Sequence, residues 1–253
     1  MISEKDLIKI TELPGVASVC GIPASYIQTV LPNYDFQMCV DGYLFATPKG
    51  VSLDEIRLVH VAHLDEIGGM ITEEVKKGVY ETMLFCSAES IAHRQIALYR
   101  YDAKSEKDII IGETEMDGDK LIVRSEDISP YLYFFTYNEK TVIRGDSITG
   151  KALDPRAAVY CLMQVAEKIE RKDIGFLFAF AEEIGAYGAR KAASHFQHIL
   201  PNLSAVINVD LPILGNVHGL ELEDVGIRII ESGRTPIDPC STLAAYEKLQ
   251  AKG

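Results

Sequence analysis

Gly175 to Ala193 reads GFLFAFAEEIGAYGARKAA. The apolar run Phe176-Leu177-Phe178-Ala179-Phe180-Ala181 is short, aromatic-rich and bounded by a glycine, as expected of a strand buried on both faces. Glu182 and Glu183 follow at its C-terminal end. Ile184-Gly185 then turns the chain into an Ala-rich helical pattern from Ala186 to His195. Open α/β sheets place ligand sites at such strand ends. Adjacent residues on an extended chain point opposite ways, so one glutamate could bind a metal while the other handles a proton. The plainer reading of an isolated Glu-Glu is a solvated loop after a strand.

Other strand ends carry matching chemistry. Arg57 to Ala62, RLVHVA, is a second buried-strand candidate and runs into His63-Leu64-Asp65-Glu66-Ile67-Gly68. His63 and Asp65, two apart, share one face of an extended chain; His63 could ligate a metal with Asp65 supporting it by a hydrogen bond. His60, in mid-strand, reads as a packed histidine. Gly145 to Arg156 leads into a helix over 157–171. There Asp154 before Pro155 fits a helix N-cap, although an X-Pro bond can also be cis and aim the aspartate into a cleft. Leu203 to Val209 reads as another buried strand, ending in Asp210. His63, Asp154, Glu182-Glu183 and Asp210 form a nitrogen-and-carboxylate set that suits zinc, cobalt or manganese. One aspartate bridging two cations is the arrangement of two-metal hydrolases.

Around these motifs the chain is organised in three parts. Residues 1–69 begin with a helix over 3–12, a second from Pro23 toward Leu31, and two strands over 34–46 with a turn at Asp41-Gly42. Residues 70–143 change character: short β-type runs at 79–85, 109–111, 120–123 and 132–135, a turn at 116–119 and a possible helix at 88–97. This reads as a small β-rich domain inserted into an α/β domain. Residues 144–253 resume the βα pattern. After Asp210 the expectation is a loop marked by Pro212, Gly215 and Gly219, a strand over 226–230 and a helix over 235–252.

A chain of 253 residues can bury a full core. Its 47% apolar and 25% charged residues fit an ordinary globular protein. The net charge of -12 argues against nucleic-acid binding, which needs a basic face. No apolar run is long enough for a transmembrane helix, and the opening MISEKDLIKI is too charged for a signal peptide. The cysteines (Cys20, Cys39, Cys86, Cys161, Cys240) are scattered, with no CxxC pair, so reduced thiols in a cytoplasmic protein are expected. His195 and His198 fall at a helix C-terminus, where capping or solvent is the expected surrounding.

The order and wording of the motifs resemble the M42 family of metallo-aminopeptidases, relatives of glutamyl aminopeptidase and the tetrahedral peptidases. The family's H-M-D-E-I-G stands here as His63-Leu64-Asp65-Glu66-Ile67-Gly68. Its G-K-A-L-D-N-R stands as Gly150-Lys151-Ala152-Leu153-Asp154-Pro155-Arg156, with proline replacing asparagine. Its E-E-V-G…G-A stands as Glu182-Glu183-Ile184-Gly185…Gly188-Ala189, and Pro14-Gly15-Val16 fits its opening. The resemblance implies a mixed-sheet, three-layer α/β/α metallopeptidase domain with the β-rich insert used in homo-oligomer assembly. It implies two divalent metal ions, zinc or cobalt or else manganese. His63, Asp154 and Asp210 would hold the first; Asp154, as the bridge, and Glu183 would hold the second. Glu182 would be the general base acting on a metal-bridging water, Asp65 would orient His63, and the substrates would be peptides cut at their N-termini. The peptide bond after the bridging aspartate would be cis.

The family also takes a second-metal histidine from a C-terminal segment that this sequence does not contain, and the chain reads as C-terminally short. His218 is one stand-in candidate. An alternative therefore stands beside the aminopeptidase: a shortened, non-catalytic relative that keeps the fold and at most one metal. A third reading takes the acids as the pair of a glycoside hydrolase, which chelator sensitivity would oppose.

Overall fold

A computed structural model of the chain describes residues 1–85, 88–125 and 128–211. The loop, strand and helix expected beyond Pro212, and His218 with them, lie outside the described residues, as do Cys86 and Cys240.

Helix α1 (Glu4–Glu12) opens with a Ser3–Asp6 capping box, in which the Asp6 carboxylate accepts the Ser3 N–H at 2.7 Å. Helix α2 (Gly21–Val30) tolerates Pro23 because the first turn has no intrahelical acceptor to lose. Strands β1 (Tyr34–Cys39) and β2 (Tyr43–Pro48) form an antiparallel hairpin. Strand β3 (Leu58–His63) follows. After the inserted segment come helix α4 (Leu153–Lys168), strand β12 (Ile174–Ala179), helix α5 (Tyr187–Ile199) and strand β13 (Ala205–Asn208). The sheet order is β1-β2-β12-β3-β13; β2 runs antiparallel to its neighbours, whereas β12, β3 and β13 are parallel.

The sheet is covered on both sides, and the alternation of its side chains shows how. Leu44, Ala46, Phe176 and Phe178 join Ile10, Ile27, Val159 and Met163 in one core with α1, α2 and α4. Tyr43, Phe45, Leu177 and Ala179 point the other way, onto Ala192 and Phe196 of α5. Strands β2 and β12 are buried at every residue, as their largely apolar sequences lead one to expect.

The insert is a closed, all-antiparallel six-stranded barrel in the order β4-β5-β8-β7-β6-β9. Its strands are β4 (Gly69–Lys76), β5 (Val79–Leu84), β6 (Gln95–Arg100), β7 (Ile109–Asp117), β8 (Lys120–Arg124) and β9 (Tyr133–Tyr137). Ile71, Tyr80, Ile96, Leu98, Leu121, Val123 and Phe135 fill it. Closure leaves no open edge. A two-stranded ribbon, β10 (Val142–Arg144) and β11 (Ser147–Thr149), turns at Gly145 and returns the chain to α4.

Four local expectations change. The helix expected at 88–97 is only α3 (Ala88–Ile91), and Gln95–Arg100 is strand. Ile96 and Leu98 enter the barrel core while Tyr99 enters the α/β core, so pairing on both sides overrides helical propensity. The turn at 116–119 narrows, because Met116 and Asp117 still pair in β7. The strand leading to Asp210 is exposed at all four residues, with Val206 55% exposed; among the described strands it pairs on one side only, with β3. Asp154 does not cap α4. The Asp154–Pro155 bond is cis, both residues are non-helical, and the regular helix begins beyond them.

Candidate metal centre

Three parallel strands end at one edge of the sheet, and this convergence builds the site. Ala179 pairs with His63 in register, and the Val209 N–H donates to the Val61 carbonyl at 2.7 Å. Glu182-Glu183, His63 and Asp210 therefore arrive side by side, and the turn into α4 brings Asp154 across them.

His63 is 6% exposed. Its Nδ1 lies 3.2 Å from the Asp65 carbonyl oxygen and 3.5 Å from Asp65 Oδ1. Both are acceptors, so Nδ1 donates toward Asp65, and Nε2 is the nitrogen that faces the other acids and that a metal would take in place of its proton. Nε2 lies 3.4 Å from Asp154 Oδ1, 3.9 Å from Glu182 Oε2 and 4.0 Å from Asp210 Oδ1. His63, Asp154 and Asp210 each offer one atom within 4.8 Å of the others, the one such group of three among the described residues. Asp65 is fully buried. Its oxygens accept the backbone N–H of Glu182 at 3.0 Å and of Glu183 at 3.2 Å, fixing the turn that carries both glutamates.

The electrostatics are those of acids held together around one histidine. Burial works against charge on His63, but the hydrogen bonds and charges of Asp154, Asp65 and Asp210 outweigh it and push its pKa up to about 10. Burial raises Glu183 to about 7, opposed by His63 and reinforced by Asp65, Asp154 and Glu182. Burial also raises Glu182 and Asp210, with neighbouring carboxylates adding to the effect. One imidazole nitrogen and two carboxylates crowded within reach of each other fit a zinc-, cobalt- or manganese-type cation.

The backbone around the site is held in sparsely populated conformations. Ala17, Ala152 and Ala181 have φ of 47°, 52° and 59°. Left-handed non-glycine residues cost on the order of 1–3 kcal/mol each and persist where the surroundings over-determine them. Ala181 immediately precedes Glu182, and its N–H donates to the Ala17 carbonyl at 3.1 Å.

Glu66, Lys151 and Arg156 belong to the motifs, but the sequence alone assigns them no role. All three are buried together beneath the site. The signal was an acid directly after Asp65 and two cations flanking Asp154. Elsewhere, His60 stacks on Phe176 at 5.8 Å as a packed histidine. His195 is not merely a solvated helix end, since its Nδ1 pairs with the Tyr43 hydroxyl. His198 lies in the last turn of α5.

A family model described as M42 glutamyl aminopeptidase matches residues 92–237, more than half of the chain. A curated Acetivibrio thermocellus protein that carries an aminopeptidase name is 24% identical over 233 residues. That match covers 81% of this chain and 66% of that protein, so the chain spans just under two thirds of its relative's length. Among solved structures, the aminopeptidase of the archaeon Desulfurococcus kamchatkensis superposes with a TM-score of 0.68 at 18% identity, over 85% of this chain and 64% of that one. The Pyrococcus horikoshii TET1 peptidase, which can assemble into a tetrahedron or a large octahedral shell, superposes with a TM-score of 0.65 at 19% identity, over 82% and 68%. These structural likenesses show a shared fold, a mixed α/β sheet carrying an inserted barrel.

Proposed function

Since this chain belongs to the M42 glutamyl aminopeptidase family, we propose that it is a metal-dependent aminopeptidase that hydrolyses the first peptide bond of a peptide at the His63–Asp154–Asp210 centre. The observation that carries this reading is the convergence of those three ligand atoms with Glu182 Oε2 only 3.9 Å from His63 Nε2. His63, Asp154 and Asp210 would hold one divalent cation, and Asp154 with Glu183 would take part in holding a second. A divalent cation held there would supply Lewis-acid polarisation of the scissile carbonyl and a lowered pKa for the attacking water.

The protein's own residues do the rest. Glu182 accepts the proton of the attacking water and passes it to the departing amine nitrogen as the C–N bond breaks. Its partly buried setting raises its proton affinity, as that role requires. Asp65 holds the Glu182 amide and the His63 tautomer together, so base and ligand keep a fixed spacing. By analogy with the Pyrococcus horikoshii peptidase, we further propose that the chain forms a homo-oligomer through the barrel.

The test is a peptidase assay on the purified chain supplied with cobalt or zinc, run beside Glu182→Gln. Activity should vanish on chelation and return with metal. Glu182→Gln should lower the rate by about 10²–10⁴-fold while binding as much metal as the parent. Native mass spectrometry of the same samples reports metals per chain and assembly size. Metal uptake without Glu182-dependent turnover would instead support a non-catalytic relative; turnover insensitive to chelation would overturn the metal-dependent reading.

A further inference from the structure

Two of the segments that carry the candidate ligands are far apart in sequence. His63 and Asp65 end β3, Asp154 opens α4, and the whole barrel lies between them. A polar network buried under the site spans the gap. Lys151 Nζ donates to Glu66 Oε1 at 2.8 Å across 85 residues of chain, with side chains 1% and 2% exposed. The Gly15 N–H donates to the same oxygen at 3.2 Å, and the Glu66 N–H donates to the Gly15 carbonyl at 2.9 Å. Arg156 is fully buried. Its Nε donates to the Leu64 carbonyl at 2.6 Å, its Nη1 to the Ile10 and Leu13 carbonyls at 2.7 and 2.8 Å, and its Nη2 stands 3.7 Å from Glu66 Oε1.

The placement of these groups is the informative part. Glu66 follows Asp65 directly, Leu64 sits between His63 and Asp65, and Lys151 and Arg156 bracket Asp154. The Lys151–Glu66 and Arg156–Leu64 bonds therefore each end within one residue of His63 or Asp65 on one side and within three of Asp154 on the other, while the bonds to Ile10, Leu13 and Gly15 tie the same groups to α1 and the segment after it. Two cations face one carboxylate, and Glu66 Oε2 has no hydrogen-bond partner among the described residues although it is buried. Such a cluster is a poor device for stability alone, because a buried ion pair is often replaceable by apolar groups without loss. Its directional bonds do, however, fix one loop against another.

We propose that Glu66, Lys151 and Arg156 are positioning residues, whose network sets the strand-end loop of His63 against the turn of Asp154 so that the ligands converge before metal arrives. The proposal rests on the metal-centre reading above. Outer groups that orient metal ligands typically change affinity by about 10–100-fold when removed.

The experiment titrates the metal-free chain with Co²⁺ alone, followed by calorimetry and by the visible absorption of bound cobalt, which reports coordination geometry. Lys151→Met should weaken Co²⁺ binding by about 10–100-fold and alter the visible band. The double variant Glu66→Gln/Lys151→Met removes the ion pair from both ends; it should melt cooperatively and still bind weakly with the altered band. Ile71→Val, a packing change inside the barrel core, controls for general destabilisation and should keep parental affinity and spectrum. The proposal is overturned if the folded double variant binds Co²⁺ like the parent, or if Ile71→Val loses affinity as much as Lys151→Met does. If the parent binds no Co²⁺ at all, the metal-centre reading itself fails and takes this inference with it.

Discussion

Asp65 shows how much one buried side chain can organise. Its two oxygens are taken by the amides of Glu182 and Glu183, and Oδ1 also faces His63 Nδ1. Asp65→Asn keeps the shape but turns one acceptor into a donor that opposes a backbone N–H or the imidazole N–H. We expect about 10–100-fold weaker metal binding and a loss of turnover beyond what saturating metal restores, read by calorimetry and by rates at saturating cobalt. Arg156 makes the complementary case. Its fork satisfies four buried carbonyls, those of Ile10 in α1, Leu13 and Gly15 after it, and Leu64 after β3. A lysine has neither the fork nor the reach, so Arg156→Lys should strand at least one acceptor. The expected destabilisation is about 1–3 kcal/mol, read from the urea midpoint at unchanged m-value. Asp65 was legible in the sequence as half of an H-x-D. Its grip on the glutamate amides was not, because the partners lie 117 residues away and local spacing carries no trace of them.

At the scale of elements, the entry of α5 is the tightest joint. The Gly188 N–H donates to the Phe180 carbonyl at 3.0 Å, and the Phe180 N–H donates to the Gly42 carbonyl at 2.8 Å. A Cβ on Gly188 would lie well inside 3.0 Å of both carbonyl oxygens. The helix can approach the strand ends this closely only without a side chain there. Gly188→Ala should therefore destabilise by about 1–3 kcal/mol or more and, by displacing the turn at Glu182-Glu183, also weaken metal binding. Chemical denaturation and cobalt titration of one preparation test both effects. The glycine was visible in the motif, but the reason for it sits on the β1–β2 turn. The same limit explains the other differences. The buried strands β2, β3 and β12 announce themselves because their short, mostly apolar runs admit few alternatives. Residues 95–100 do not, because Ala, Gln and Leu favour a helix and only the ladders to β7 and β9 make them strand. Strand β13 is apolar but pairs on one side only among the described strands, and composition alone does not distinguish such a strand from a central one.

On the scale of the whole molecule, the barrel and the α/β domain share buried groups. Tyr99 leaves barrel strand β6 and joins the core of α1, α2 and α4, where its hydroxyl accepts the Val16 N–H at 2.6 Å. Thr136 Oγ1 donates to the Ile67 carbonyl at 3.0 Å, and the hydroxyls of Thr11 and Thr141 meet at 2.8 Å. Gly68 lies where any Cβ would strike Val16 and the Phe135 carbonyl, so the junction is packed backbone to backbone. A linker joining independent domains would show little of this. The barrel should therefore stabilise the site rather than simply hang from it. Tyr99→Phe tests this with the loss of a single oxygen, leaving the buried Val16 N–H without its acceptor. The expected cost is about 1–3 kcal/mol, or roughly 2–4 °C of melting temperature for each kcal/mol in a chain of this size. Native-state hydrogen exchange locates that cost. Amides of Val61 in β3 and of Leu98 in β6 should lose protection together and by similar free energies, because one cooperative unit opens. If Leu98 alone loses protection and Val61 is unmoved, the barrel unfolds separately and the shared core does not couple it to the metal centre.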